Sequence, residues 1–367
     1  MHHFHQTLKT WFQTHGRDLP WRHTPTPYQV WVSEIMLQQT QVVTVIPYYE
    51  RWMTQFPDIQ ALAQAPIEAV LTLWTGLGYY RRARYLHEGA QAVVKQYGGE
   101  IPQSIEALRK IPGIGPYTAG AIASFVFQQN VPAVDGNAER VLSRYFGILG
   151  DLTRGEGKKQ LHETAHQLAQ LGDSHIINQA IMDIGASCCS RMAQCESCPL
   201  HAQCYALAHG LTGALPQKKQ AVEKYDEYRV ALRLCAPDGS ILLARRKPNI
   251  LLGGLWEYPM TTIARGKNIA PPDLRLPRIK LWTDWLSAHQ PELTLQHWKT
   301  TSQQIEHIFT HIKMRVLLDT AQISSLNTKV WQNDDTYDAF AWHQPKDIAQ
   351  MPTSSLMQKL MVKLHKP

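Results

Sequence analysis

With 367 residues the chain exceeds what one hydrophobic core usually organises, so two domains are expected. Hydrophobic residues make up 44% and charged residues 18%, a balance that excludes intrinsic disorder. Lys and Arg exceed Asp and Glu by seven and the pI is near 9.0, which admits a polyanionic partner without requiring one.

The start, MHHFHQTLKTWFQTHGRDLPW, carries no apolar run suited to a signal peptide, and no segment reaches the roughly 20 apolar residues of a membrane span. A reducing, cytoplasmic compartment is therefore expected, where clustered thiols bind metal more often than they pair. From residue 1 to about 208 the chain reads as helix after helix. VWVSEIMLQQTQVVTVIPYYERWMTQF, IEAVLTLW, AGAIASFVF, ERVLSRYF and INQAIMDIGA all space apolar residues three and four apart, with Pro- and Gly-rich breaks between them. HGLTGALPQKKQAVEKYDEY then loses periodicity and reads as a linker. Beyond it YRVALRLC and ILLARR are strand-like and joined by APDGS, a hairpin turn signal, and MPTSSLMQKLMVKL closes as an amphipathic helix with Ser/Thr for its cap.

WTGLGYYRRARYL (74–86) and IPGIGPYTAGAIA (111–123) both read G-x-G-x-Y and then a helix. Each has the form of a helix–hairpin–helix unit. Its glycines, including Gly113 and Gly115, allow a tight turn that brings backbone N–H groups and a helix N-terminus to an anion. For L-x-x-I-P-G-I-G between helices the usual anion is a DNA phosphate, contacted without reading sequence.

CCSRMAQCESCPLHAQC (188–204) gathers five of the six cysteines. Four thiolates hold Zn or an iron–sulfur cluster, but Zn sites favour two separated C-x2-C pairs, whereas these ligands share one loop. The spacing C-x6-C-x2-C-x5-C from Cys188 resembles the [4Fe–4S] loop of the endonuclease III and MutY DNA glycosylases. Relatives end the preceding helix with G-A-x-x-C, which in GASCC selects Cys189 instead. The resemblance thus implies Cys195, Cys198 and Cys204 as ligands, with Cys188 or Cys189 as the fourth.

DLPWR, VSEIMLQQTQV, WTGLGYYRRAR, IPGIGPYTAG, AVDGNAERVLSR and NQAIMDIGA follow the order seen in MutY adenine glycosylases. That resemblance implies removal of adenine mispaired with 8-oxoguanine from a flipped nucleotide. The chemistry needs an acid protonated near neutral pH, because adenine leaves only when a ring nitrogen is protonated. Glu34, with Val30, Trp31 and Leu37 at helical neighbour positions, suits it by burial. A second carboxylate must stabilise an oxocarbenium-like sugar, and Asp135 in VDGN takes that part. On their own a helical Glu is usually solvated and an Asp before a helix usually caps it; the matching motifs reverse that reading.

The endonuclease III group places a lysine nucleophile where this chain has Tyr117, which offers no amine, so a monofunctional enzyme is implied. Tyr117 and Asn137 resemble residues that support the sugar and Asp135. Trp21, Arg22 and Gln179 match the adenine pocket, and Gln39, Thr40, Leu77, Gly78 and Tyr79 match positions that enter the duplex opposite 8-oxoguanine. Glu139 is a departure, an acid where relatives often carry Lys or an apolar residue.

LLGGLWEYP resembles the G-L-W-E-F-P stretch of Nudix folds, yet no acidic helix follows to hold Mg²⁺. In the MutY resemblance such a domain verifies 8-oxoguanine through H-x-F-S-H, represented here by His307-Ile308-Phe309-Thr310-His311. The expected architecture is an all-α helix–hairpin–helix glycosylase domain (1–208) with an iron–sulfur loop (188–204), a linker (209–226) and an α+β Nudix-like lesion-recognition domain (227–367). The expected protein is a cytoplasmic, nucleoid-associated monomer acting in base excision repair on double-stranded DNA with A:8-oxoguanine or A:G mispairs, with a [4Fe–4S] cluster and no membrane partner. A bifunctional glycosylase/lyase is disfavoured by Tyr117 and the added C-terminal domain. A non-catalytic DNA-binding scaffold is disfavoured by Glu34 and Asp135, and a Nudix hydrolase by the missing metal carboxylates.

Overall fold

A computed structural model describes residues 1–217, 223–270, 272, 278–301, 304–324 and 331–363; positions 218–222 of the expected linker lie outside them. Packing divides the chain into two compact units. One runs from Met1–Ala65 and resumes at Arg82 up to the linker; the other joins Pro66–Arg81 to the chain beyond the linker. Among the described residues no helix is long and apolar enough to cross a membrane.

The first unit is helical. It comprises α1 (His2–His15), α2 (Pro27–Leu37), α3 (Val42–Gln55) and α4 (Ile59–Gln64); α5 (Ile67–Trp74) belongs to the second unit. Then come α6 (Arg81–Tyr97), α7 (Ile105–Leu108), α8 (Pro116–Phe125), α9 (Gly136–Phe146), α10 (Gly155–Gln170), α11 (Ser174–Ala186) and α12 (Tyr205–Ala208). α2 starts where its sequence says it should: Pro27 takes the first turn, and Thr26 and Gln29 exchange hydrogen bonds as a capping box, 3.2 and 3.0 Å. From Val30 to Met36 it is buried throughout, which makes α2 a central helix with no solvated stripe.

The apolar run from Val30 to Phe56 is interrupted. Gln39 takes a left-handed φ of 61°, so QQT is a turn between α2 and α3. The carbonyls orphaned at the end of α2 are taken up by Arg82, whose Nη1 donates to Ile35, Met36 and Gln38 at 2.7, 3.0 and 2.5 Å. Phe4 and Leu8 of α1, Leu142 of α9, Leu161 of α10 and Ile181 and Ile184 of α11 pack into one core, on which the cysteine loop rests through Cys188. The unit's packing continues past residue 208, since Leu215 is buried and its carbonyl accepts from Arg144 Nε at 2.9 Å.

The second unit carries β1 (Tyr225–Cys235), β2 (Ile241–Arg246), β3 (Trp256–Glu257), β4 (Met260–Gly266), α13 (Arg278–His289), β5 (Leu295–Lys299), β6 (Gln304–Ile308), β7 (Ile312–Ile323), β8 (Tyr337–His343), α14 (Pro345–Ile348) and α15 (Ser355–Lys363). One mixed sheet results: β1 runs parallel to β7 along its whole length and antiparallel to β2 and β4. Strand alternation supplies two cores. Val230, Leu232 and Leu234 face Trp282 and Leu286 of α13, while Ala231, Leu243 and Val316 face Leu356, Met357 and Leu360 of α15. Ser354 caps α15 by accepting from Met357 N–H at 3.1 Å.

Candidate active site and cysteine loop

α2 holds Glu34 in the protein interior, 5% exposed. The first turn of α8 brings Tyr117 to it, and the phenol donates a short hydrogen bond to Glu34 Oε2. Burial raises the Glu34 carboxyl to about 7; the Tyr117 hydrogen bond opposes this, the charge of Asp135 reinforces it and Arg22 opposes it. Burial also drives the Tyr117 phenol well above its ordinary value, so Tyr117 remains a donor.

Asp135 precedes α9 and is its N-cap, Oδ1 accepting from Ala138 N–H at 2.8 Å. Its other oxygen accepts from Asn137 Nδ2 at 2.8 Å. Burial raises its pKa against the pull of these bonds and of Arg140. The capping role and a chemical role are therefore compatible in one side chain. Glu34, Tyr117, Asp135 and Asn137 line a single cleft of about 1170 Å³, above the ~300–1,000 Å³ of ordinary small-molecule pockets and roomy enough for a nucleotide with flanking backbone.

Trp21, Arg22 and Gln179 line the same cleft, as do Gln39 and Thr40 of the α2–α3 turn. Trp21 is fixed edge-on to Tyr49, ring centroids 5.3 Å apart. Gln179 Nε2 is engaged by the His175 carbonyl one turn back in α11, 2.7 Å. Arg22 lies in a fork on Asp183, Nη1 and Nη2 donating at 2.8 and 2.9 Å, with Arg17 Nε donating to the same carboxylate at 2.8 Å. Burial alone would raise the Asp183 pKa, yet the hydrogen bonds and charge of Arg22 and Arg17 hold it below the usual carboxylate range. Asp183→Asn leaves Arg22 without its counter-charge, and a loss of about 3–5 kcal/mol in denaturant unfolding is expected. Sequence reasoning passed over Arg17 and Asp183, although NQAIMDIGA contained Asp183 and Arg17 directly precedes DLPWR.

Arg140 was likewise passed over. Its Nη2 donates to Asn137 Oδ1 at 2.7 Å and to the Gly185 carbonyl at 2.6 Å, while Nε donates to the Cys189 carbonyl at 2.7 Å. Asp135, Asn137, Arg140 and the cysteine loop thus form one hydrogen-bonded series. Asn137 and Arg140 sit three apart on α9, the spacing that puts side chains on one helical face. Glu139 occupies the first turn of α9, where an acid favours the helix dipole.

Cys188, Cys189, Cys195, Cys198 and Cys204 line a second cavity, five thiols where a four-thiolate cluster needs four. Among the described residues no group of three or more His, Cys, Asp or Glu side chains is arranged for a metal ion. The donor chemistry, thiols within one loop, suits a four-thiolate group, although the side chains are not gathered on a common point. A hydrogen bond from Cys198 lowers the Cys188 thiol, whereas burial raises the Cys189 thiol, whose sulfur lies 3.5 Å from Arg144 Nη1.

Gly113 turns the α7–α8 hairpin with φ 82°, where a Cβ would meet Tyr85 at 2.9 Å, and Gly115 caps α8 facing open space. Leu77, Gly78 and Tyr79 belong to the second unit: Leu77 is buried, and Tyr79 is 49% exposed on a turn with Gly78 φ 70°. Phe309, Thr310 and His311 form the tip of the β6–β7 hairpin, closed by Phe309 N–H on the Ile312 carbonyl at 2.8 Å. Thr310 and His311 are exposed, and Phe309 packs edge-on to His307. In the Nudix-type stretch Glu257 is buried in an ion pair with Arg246 at 2.7 Å and accepts from Tyr337 Oη at 2.9 Å.

The family model of the HhH-GPD superfamily base excision DNA repair proteins matches residues 32–170, and that of the NUDIX domain matches residues 230–363. The adenine DNA glycosylase of Rattus norvegicus is 36% identical, covering 88% of this chain and 70% of its own. That of Buchnera aphidicola subsp. Schizaphis graminum (strain Sg) is 30% identical over 98% of this chain and 97% of its own. Among solved structures, a thermostable thymine-DNA glycosylase superposes with a TM-score of 0.52 at 31% identity, over 57% of this chain and 96% of its own. A trapped endonuclease III–DNA covalent intermediate shares the fold, with a TM-score of 0.50 at 21% identity over 57% of this chain and 96% of its own. Carried by a helical repair domain followed by a Nudix-like one, and by relatives spanning almost its whole length, the chain belongs to the adenine DNA glycosylases.

Proposed function

We propose that this chain is a monofunctional glycosylase that hydrolyses the N-glycosidic bond of adenine mispaired with 8-oxoguanine or guanine in duplex DNA. What supports the reading is the convergence of Glu34 and Asp135 on one cleft, with Glu34 poised near neutrality. The flipped adenine enters beside Trp21, Arg22 and Gln179. Glu34 gives its proton to a ring nitrogen, and the bond electrons leave with the neutral base. Asp135, whose carboxylate is favoured by hydrogen bonds from Asn137 and the Ala138 amide, stabilises the cationic sugar until water adds at C1′ and passes its proton to the Glu34 carboxylate. Tyr117 orients the Glu34 carboxyl by donating to Oε2 and has no amine for a Schiff base, so the strand stays intact.

Gly113 and Gly115 present the hairpin backbone to a phosphate, while Gln39, Thr40, Leu77, Gly78 and Tyr79 engage the duplex at the vacated position. Phe309, Thr310 and His311 read the partner base. Cys195, Cys198, Cys204 and Cys188 or Cys189 would hold a [4Fe–4S] cluster that cross-links the loop carrying Arg191 at the cleft rim. A single-turnover assay on duplexes with adenine opposite 8-oxoguanine, guanine or thymine tests this. Adenine is expected to be released from the first two, with strand breaks only after alkali. Breaks without alkali, or binding without release, would overturn it.

A further inference from the structure

The turn that bears Tyr79 is held by the sheet domain. It is built from three left-handed residues, Gly76 (φ 103°), Gly78 (φ 70°) and Tyr79 (φ 48°), and is braced inside by Trp74 Nε1 donating to the Gly78 carbonyl at 3.0 Å. The next residue, Tyr80, is buried at 6% exposure while Tyr79 stands out at 49%. The Tyr80 hydroxyl is the junction: it accepts from Gly76 N–H at 3.2 Å and donates to the Thr353 carbonyl at 2.9 Å.

Thr353 is in turn tied to the sheet. It bridges Trp256 of β3, whose N–H donates to the Pro352 carbonyl at 2.9 Å. Arg245 of β2 stacks over the Trp256 ring at 5.7 Å and is aimed by Asp338 at 2.8 Å. Its Nη1 reaches Glu68, in the first turn of α5, at 3.1 Å. α5 is thereby gripped at both ends, at Glu68 and at the turn that follows Trp74. The LLGGLWEYP stretch, which holds no metal carboxylate cluster among the described residues, supplies the anchor through Trp256.

We infer that Tyr80 and Arg245 are positioning residues through which the Nudix-like domain sets Tyr79 for entry into the duplex, making partner-base recognition and wedge insertion one coupled event. This rests on the lesion-reading role proposed above for the β6–β7 tip. The two contacts differ in weight. The Glu68–Arg245 pair is half exposed and worth little alone, whereas the buried Tyr80 hydroxyl satisfies a backbone donor and a backbone acceptor at once.

The test compares full-length Tyr80→Phe, Arg245→Gln and Thr310→Ala with the parent chain. It measures single-turnover excision of adenine opposite 8-oxoguanine and opposite guanine, and the fluorescence of a 2-aminopurine beside the mispair as a reporter of insertion. Tyr80→Phe is expected to lower the preference for 8-oxoguanine about tenfold and to blunt the fluorescence change, with excision opposite guanine unchanged and thermal melting modestly lowered by the two backbone groups left unsatisfied; Arg245→Gln follows in the same direction with a smaller effect. Equal slowing on both duplexes would mark a merely structural role and overturn the inference. A preference lost in Thr310→Ala but kept in Tyr80→Phe would overturn the coupling alone, and a preference kept in all three would overturn the lesion-reading role beneath it as well.

Discussion

Glu34→Gln is expected to slow adenine release by roughly 10²–10⁴-fold while duplex binding survives, because the proposed general acid is removed and no contact surface is lost. The amide still accepts from Tyr117, so the α2–α8 contact stays. Two pH effects follow from a carboxyl held at about 7. Excision by the parent chain falls above pH 7 as the acid ionises, about tenfold per unit. Stability moves the same way. A folded-state pKa raised from 4.5 to about 7 means that folding takes up a proton, so stability is full below 4.5 and is lost as pH rises to 7. The shift corresponds to about 3 kcal/mol at most. The glutamine variant has nothing to ionise and is expected to melt higher than the parent chain at pH 8. A variant that is both inactive and less stable at pH 8 would contradict the burial of an ionisable acid at this position.

Asp135→Asn is the second large effect. Asparagine caps a helix as well as aspartate does, so α9 and the fold are expected to persist. What disappears is the fixed negative charge opposite a developing cation, worth roughly 10²–10³-fold in the single-turnover rate. Because the Asp135 charge also raises the Glu34 pKa, the residual activity is expected to lose its alkaline limb at lower pH than the parent. The acidic limb, which reports the raised pKa of Asp135, is expected to vanish. Retained activity with an unchanged pH profile would remove Asp135 from the chemistry.

Much of this was written in local signals. Apolar spacing marked the helices, Asp-Gly marked the β1–β2 turn, and Ser354 marked the start of α15. Periodicity misled at QQT, because a left-handed Gln39 and a distant Arg82 end α2 inside a segment whose three-and-four apolar spacing continues on either side. Periodicity sees neighbours on one helix and cannot see a guanidinium arriving from 44 residues away. Arg17, Asp183 and Arg140 escaped for the same reason. Each is an ordinary surface type until a partner from another element buries it.

Residue types and their order alone determined the helical half, the sheet half and the carboxylic acid, carboxylate and thiols available to them. Only tertiary structure decided that the Glu34 and Asp135 carboxyls share a cleft, that Glu34 is desolvated enough to keep a proton near neutrality, and that Tyr80 ties the Tyr79 turn to the sheet domain. The reason is range: helix and turn preferences are set within a few residues, whereas desolvation and charge coupling depend on what long-range packing brings within a few ångströms.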